Sequence, residues 1–256
     1  MFKILAVGLA SLLIVGTGFG CATSHRQHAE KKPLKILLVT GGCCHNYPYQ
    51  TSQLTNAVQR HAPVEWTIVN QGGSGTRAEI SLYDRPDWNR GYDLVIHNEC
   101  FADTTNPEYI RRITAAHAAG TPAVVIHCAM HTYRATDIDD WREFLGVTSR
   151  RHDHMSRYPV HKVDVRNSLV RDIPEGWTTP MDELYVIEKL WPNAKALAVS
   201  KSEKDGNDYP VIWTNRYGRA RVFGTTYGHS DETFSDPVFL DYVSRGVLWA
   251  SGRLRE

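Results

Sequence analysis

"LKILLVTGG", Leu34–Gly42, is a near-continuous apolar run that closes on two glycines. A strand with one face in water alternates apolar and polar residues. An unbroken run marks a strand buried on both faces, as the strands of a parallel sheet are. Three more runs read as strands: "PVEWTIVN" (Pro63–Asn70), "GYDLVIHNEC" (Gly91–Cys100) and "TPAVVIHC" (Thr121–Cys128). Helical spacing separates them. "YQTSQLTNAVQRHA" (Tyr49–Ala62) repeats at Leu54, Val58 and His61. "NPEYIRRITAAHAAG" (Asn106–Gly120) opens on a capping Asn106, has Pro107 at its first position and stops at Gly120. The order strand, helix, strand, strand, helix, strand predicts an α/β fold around a mainly parallel sheet. The Asn106–Gly120 helix is then the crossover between the third and fourth strands.

The pattern changes after Arg150. "YPVHKVDV" (Tyr158–Val165), "AKALAVS" (Ala194–Ser200), "YPVIWTNRYG" (Tyr209–Gly218) and "RARVFGTTYG" (Arg219–Gly228) read as short strands. Val211–Thr214 and Arg221–Thr225 pair as a late antiparallel hairpin. "DPVFLDYVSRGVLWASG" (Asp236–Gly252) is a final helix with an apolar face of Phe239, Tyr242, Val243 and Val247.

Residues 1–21, "MFKILAVGLASLLIVGTGFGC", have a basic start, an apolar run and small residues before Cys21. That is the order of a secretory signal, and the run is short for a membrane span. Cys21 after Gly-Phe-Gly suggests a bacterial lipoprotein with an acylated cysteine, although Gly18 stands where such signals usually carry leucine. An uncleaved anchor, or an ordinary signal cut near Ala22, are the alternatives. Residues 22–33 read as a polar tether, and residues 34–252 as one domain with room for a full core. The expected location is outside the cytoplasm, in the periplasm or anchored to the outer membrane. Net charge is +1 and the basic residues are scattered, which argues against a nucleic-acid partner. No CxxC pair suggests a structural zinc site. Adjacent Cys43 and Cys44 are not expected to bridge each other, and the cysteines read as small buried residues near strand ends.

Ligands of open parallel sheets bind beyond the carboxyl ends of the strands. Histidines stand at several of those ends: His45 in "GGCCHNY", His97 beside Asn98 and Glu99, His127 and His131 in "IHCAMHTY", and His229 in "TTYGHSDE". A lone strand-end histidine is more often structural than catalytic. Four segments delivering histidine to one edge favour function. His25, His28, His61 and His117 read instead as tether or helix-surface residues. The glycine-rich "VNQGGSGT" (Val69–Thr76) fits no phosphate-loop spacing and reads as a flexible loop, so no nucleotide cofactor is expected.

These motifs resemble the ThuA-like, or trehalose utilisation, family. The resemblance rests on the "GG" then "H" after the first strand, the strand ending in "IH", "DELY" at Asp182–Tyr185, "RYGRARVFGTTYGH" at Arg216–His229 and the terminal helix. It spans Leu34 to Gly252. It implies a flavodoxin-like, class I glutamine amidotransferase-like three-layer sandwich. In the amidotransferases a cysteine occupies a sharp turn inside G-x-C-x-G. Here His127 falls at that position, Cys128 follows, and Val125 and Ala129 replace the glycines, which argues against glutaminase chemistry at Cys128. Relatives often carry histidine before DELY, where this chain has Met181, and they place histidines near the region of His152, His154 and His161.

The resemblance further implies a sugar-catabolic enzyme acting on a glycoside or 3-keto-glycoside, by cleavage through elimination and hydration or by isomerisation. A 3-keto group acidifies the C2 proton, so a base can remove it while the glycosidic oxygen leaves C1. Water then attacks the enone. The expected catalytic set is His127, Glu183, His229 and Tyr185. Tyr47, Phe101, Tyr133 and Tyr227 are expected to stack on the sugar. His45, His127, His131 and His229 are the expected ligands of a divalent metal, Zn or Mn. Hydrolysis by paired carboxylates is weakly supported, because Asp182 points away from Glu183 on an extended segment. The alternative is a non-catalytic carbohydrate-binding or scaffold protein on the same fold. The expected partner is a small carbohydrate, with membrane contact only through the lipid anchor and homo-oligomerisation left open. Intact-mass measurement on membrane fractions is expected to show diacylglycerol on Cys21. Full-length chain found soluble in the cytoplasm would remove that expectation.

Overall fold

The computed structural model describes residues 32–255. The expected signal segment and all but the last two tether residues lie outside them. Ten strands and four helices follow in the order β1 (Leu34–Gly42), α1 (Tyr47–Gln59), β2 (Val64–Asn70), β3 (Leu94–Cys100), α2 (Pro107–Ala118), β4 (Ala123–Ile126), α3 (Asp140–Leu145), β5 (Val147–Ser156), β6 (His161–Lys162), β7 (Asp182–Leu190), β8 (Lys195–Lys201), β9 (Asp208–Tyr217), β10 (Ala220–Thr225) and α4 (Pro237–Ala250). The main sheet runs β2-β1-β3-β4-β10-β9-β8-β6. Its first five strands are parallel, including the β4–β10 pair, and its last four are antiparallel to one another. The parallel β1–β4 block, the α2 crossover and the β9–β10 hairpin are those that the sequence predicts. Asn106 caps α2 by accepting from the Glu108 and Tyr109 N–H groups.

The unbroken apolar runs divide by parity. Ile36, Leu38, Ile96, Val124 and Ile126 point into one core, which also holds Leu54 and Val58 of α1 and Phe239, Val243 and Val247 of α4. Leu37, Val39, Val95 and Val125 point into a second core with Tyr109 and Ile113 of α2 and Trp141 and Phe144 of α3. Successive strand residues face opposite sides, so the sheet carries a layer of helices on each face. That makes a three-layer α/β sandwich of the class I glutamine amidotransferase-like type.

Three elements were not read from the sequence: the six-residue α3, and the separate two-stranded antiparallel sheet of β5 and β7. The segment expected as a strand at Tyr158–Val165 pairs only at His161 and Lys162. His117 also differs from expectation. It is fully buried rather than on the helix surface. Its Nδ1–H donates to the Thr121 carbonyl at 2.8 Å, which leaves Nε2 as an acceptor 3.1 Å from His97 Nε2. His97 must therefore donate from Nε2, and its Nδ1 shares a single proton with Glu99 Oε1 at 2.8 Å. Burial, with the neighbouring His97, lowers the His117 pKa to about 3. The polar strand-end pair His97 and Glu99 is thus consumed inside the second core.

Gly246 lies in α4 where an added Cβ would press into the Phe223 ring. Alanine improves helix propensity by roughly 1 kcal/mol, but overpacking a rigid ring costs about 1–3 kcal/mol. The steric term should win. Gly246→Ala is expected to lower stability in urea denaturation by about 1 kcal/mol, and a more stable variant would show that α4 does not sit against Phe223 this closely.

Candidate active site

The chain leaves β4 at His127, whose φ is 45°. A left-handed backbone at a non-glycine residue is uncommon and marks a constrained turn. This is the sharp strand-to-helix turn of the fold, with histidine at its apex. Gly228 makes room for it: φ there is 134°, and a Cβ would come within 2.9 Å of Ile126 and 3.1 Å of the His127 Cβ. The His127 Nδ1–H donates to the Thr226 carbonyl at 2.7 Å. The tautomer is therefore fixed, and the Nε2 lone pair faces Tyr185 and His229. Tyr185 donates its hydroxyl to that Nε2 at 3.2 Å.

Two further imidazoles meet it there. His45, in the turn after β1, keeps its Nδ1 3.2 Å from both the Cys43 carbonyl and the Tyr47 hydroxyl. Tyr47 donates its own proton to Cys43 O, so the His45 Nδ1–H is the donor and its Nε2 is an acceptor. His45 Nε2 and His127 Nε2 each lie 3.3 Å from His229 Nδ1. Glu183 Oε2 is also 3.3 Å from His229 Nδ1, and 3.7 Å from His127 Nε2. Three acceptors thus surround one nitrogen, which can offer one proton. Zinc–nitrogen bonds of roughly 2.0–2.1 Å imply ligand nitrogens about 3.3–3.4 Å apart. The spacing of these imidazoles fits a divalent cation in place of that proton. Ligand atoms of His45, His127 and His229 lie within 4.8 Å of one another.

Asp182 fixes the second half of the site. Its buried carboxylate accepts from the N–H groups of Glu183, Gly228 and His229 and from the Thr233 hydroxyl. This ties the start of β7 to the loop after β10. Glu183, the next residue, faces the opposite way and enters the pocket, as an extended segment requires. Its other oxygen lies 3.5 Å from His152 Nδ1. Sequence reasoning left His152 without a role, and the signal that places it is the pairing of β5 with β7, which sets His152 opposite Tyr185.

The pocket holds about 190 Å³ and is lined by His45, His131, His152, His229, Glu183, Tyr185, Arg134, Thr76 and the cysteines 43, 44, 100 and 128. Arg134, Thr76 and all four cysteines were missed as site residues. Several expectations need correction. His131 lies on the wall but outside the imidazole triad: its Nε2 is 3.0 Å from Ser149 Oγ and its ring stacks on Tyr185 at 3.9 Å. Phe101, Tyr133 and Tyr227 are at most 1 % exposed and cannot stack on a sugar. Phe101 and Tyr133 fill the second core, and Tyr227 fills the first. Tyr47 is buried behind His45 and holds that ring instead. The cysteines are joined as Cys43–Cys44 and Cys100–Cys128. The vicinal bridge, not expected from sequence, forms in a turn where Gly41, Gly42 and Cys44 all have positive φ.

Burial sets the electrostatics. It lowers the His45 pKa to about 4, with the nearby His229 adding to the effect, and pushes His127 well below the usual value. Burial and then Arg134 take His131 to about 3. His229 moves the other way, because its hydrogen bond to Glu183 favours the charged ring. Burial raises Asp182 to about 6 against the pull of its four donors.

A sheet of this order has the class I glutamine amidotransferase-like fold, and a histidine stands at the left-handed turn after β4. The chain belongs to the ThuA (trehalose utilisation) family, whose model matches residues 36–250. It is similar in structure to a ThuA-like protein of Parabacteroides merdae, with TM-score 0.69, 21 % identity and coverage of 88 % of this chain and 92 % of that one. A ThuA-like protein of Bacteroides uniformis gives 0.64, 17 %, 86 % and 92 %. A GMP synthase subunit protein of Thermoplasma acidophilum gives 0.51, 10 %, 85 % and 96 %. No curated protein matches the sequence.

The pKa directions fix a pH dependence. His45, His117, His127 and His131 have folded values below the 6.5 of the unfolded chain. Between about pH 6.5 and 4 the unfolded state therefore binds more protons at these rings, and stability falls as pH falls. Asp182, raised to about 6, opposes this below that pH, while His229, raised above 6.5, acts only above pH 6.5. Four rings against one group leave a net loss, expected at about 1 kcal/mol or more per pH unit below 6.5. Urea midpoints at pH 7.5 and 5.0 check it. Equal or higher stability at pH 5.0 would show that the rings are not buried neutral.

Proposed function

We propose that this protein is a sugar-processing enzyme acting on a 3-keto-glycoside, exported by its N-terminal signal and held at the membrane through Cys21. Membership of the trehalose utilisation family implies a sugar-related role. The observation that carries the finer reading is the convergence of His45, His127 and His229 beside Glu183, at the pocket that His45, His229 and Glu183 line. The site has one carboxylate facing substrate, because Asp182 is committed to the loop. That disfavours paired-carboxylate hydrolysis and suits proton abstraction next to a ketone.

In this reading Glu183 is the base that removes the C2 proton. It is desolvated but open to the pocket, with its side chain 13 % exposed. His152 faces it from the solvent side and returns a proton to the departing glycosidic oxygen. Tyr185 and Thr226 hold the His127 ring in the tautomer whose Nε2 is an acceptor beside His229. The polar wall of Arg134 and Thr76 orients the sugar hydroxyls. Nε2 of His45, Nε2 of His127 and Nδ1 of His229 would hold a divalent cation, Zn or Mn, which supplies Lewis-acid polarisation of the ketone oxygen. Phe101, Tyr133 and Tyr227 give neither the enzyme nor the binding-protein alternative an aromatic platform.

The test is turnover of a 3-keto-disaccharide by purified protein with and without added metal. His127→Asn is the informative variant, because asparagine tolerates the left-handed backbone. It is expected to reduce turnover by at least about a hundredfold with an unchanged urea midpoint. A keto-sugar that binds without being consumed, or a variant with full turnover, would overturn the reading.

A further inference from the structure

The sulfur atoms beside this pocket have no part in the chemistry above. They come from three strand ends: Cys43 and Cys44 after β1, Cys100 at the end of β3, and Cys128 in the turn after β4. The two disulfides are in contact, with Cys43 Sγ 3.7 Å from Cys100 Sγ. One ligand atom each from Cys43, Cys44 and Cys100 lie within 4.8 Å of one another, and so do those of His45, Cys100 and Cys128. Cys100 belongs to both groups, and so links the sulfurs of the two disulfides to one another and to the His45 ring. Zinc–sulfur bonds of roughly 2.3 Å place ligand sulfurs about 3.8 Å apart, close to the spacing across the two pairs. Thiolates select soft d10 cations, Zn(II) and Cu(I) above all.

Access to the cluster is graded. Cys44 is exposed, Cys43 is half-buried, and Cys100 and Cys128 are buried. Cys44 also has a φ of 85°, a backbone state that persists only where the surroundings enforce it. Reductant therefore meets the vicinal pair first, and the thiolate freed there at Cys43 faces the buried Cys100 sulfur.

We propose that Cys43, Cys44, Cys100 and Cys128 form a redox-gated site for a soft d10 cation, closed as two disulfides and opened by a dithiol. In the opening step a dithiol thiolate attacks Cys44 Sγ, the Cys43–Cys44 bond breaks, and Cys43 leaves as thiolate. The second thiol of the reductant displaces Cys44 and closes the reductant into its own cyclic disulfide. A second dithiol reduces Cys100–Cys128 in the same way, by exchange through Cys43. Each disulfide takes up two electrons and two protons, and each dithiol loses them. Cation binding then displaces protons from the thiols. The site does not depend on the sugar reading, and it uses sulfur where the histidine triad uses nitrogen.

The experiment compares full-length protein, oxidised and dithiol-reduced, after anaerobic removal of the reductant. Metal content is measured by equilibrium dialysis against Zn(II) in one arm and Cu(I) in the other. Co(II) serves as a spectroscopic probe, since thiolate ligation adds a near-ultraviolet charge-transfer band. Reduced protein is expected to bind one more cation than oxidised protein and to show the band. Cys44→Ser, at an exposed position that leaves the core intact, and Cys100→Ser should both weaken that extra binding at least tenfold. His127→Asn should keep it, which separates this site from the imidazole triad. Extra binding in the Zn(II) arm alone or the Cu(I) arm alone supports the site and assigns its cation. Equal stoichiometry in both redox states, a reduced protein without the thiolate band, or extra binding that survives both cysteine variants would overturn the proposal.

Discussion

The carboxylate of Asp182 is the constraint on which the site rests. A buried charge is costly unless it is paired or fully hydrogen-bonded, and this one meets three backbone N–H groups and a hydroxyl. Those donors belong to two segments far apart in the chain: the first residues of β7 and the loop after β10. Satisfying one carboxylate fixes both. Glu183 is then aimed into the pocket by strand alternation, Gly228 is held against the His127 turn, and His229 follows with its ring among the acceptors. The DELY and GH motifs are therefore two halves of one hydrogen-bonded clamp.

The frame of the fold was legible because its signals are local. An apolar run closed by glycines marked β1, apolar runs ending in Ile-His marked β3 and β4, and an Asn-Pro start marked α2. The β5–β7 sheet was not legible for a physical reason. Its strand "VTSRRHDHMS" is half exposed and its pairing is interrupted by register shifts, so no period of two survives. The aromatic misassignments share one cause. Phe101, Tyr133 and Tyr227 stand in sequence where strands end, but position along a strand does not say which way a ring turns. Tyr133 sits at a φ of 59°, and its ring lies against Tyr109 and Trp141.

The histidines divide by the same logic of partners. His97 and His117 face apolar layers, and each finds an acceptor or donor inside the core. His45, His127 and His229 each have one ring nitrogen free of backbone partners, and these three nitrogens meet. Sequence places both groups near strand ends. Burial and the neighbouring carbonyls decide which group is structural.

The parallel seam between β4 and β10 joins residues far apart in the chain: His127 and its Thr226 partner are 99 residues distant. Contacts of such separation require a large loop to close before any contact energy is returned, and they form late. His45 and His127 belong to the amino-terminal side of that seam, Glu183 and His229 to the other. A nascent chain that has completed β1 to β4 already carries the His127 turn, but without its acceptors, its clamp or its proton. The pocket therefore needs both sides of the seam, and the stretch from β1 to β4 alone does not contain it.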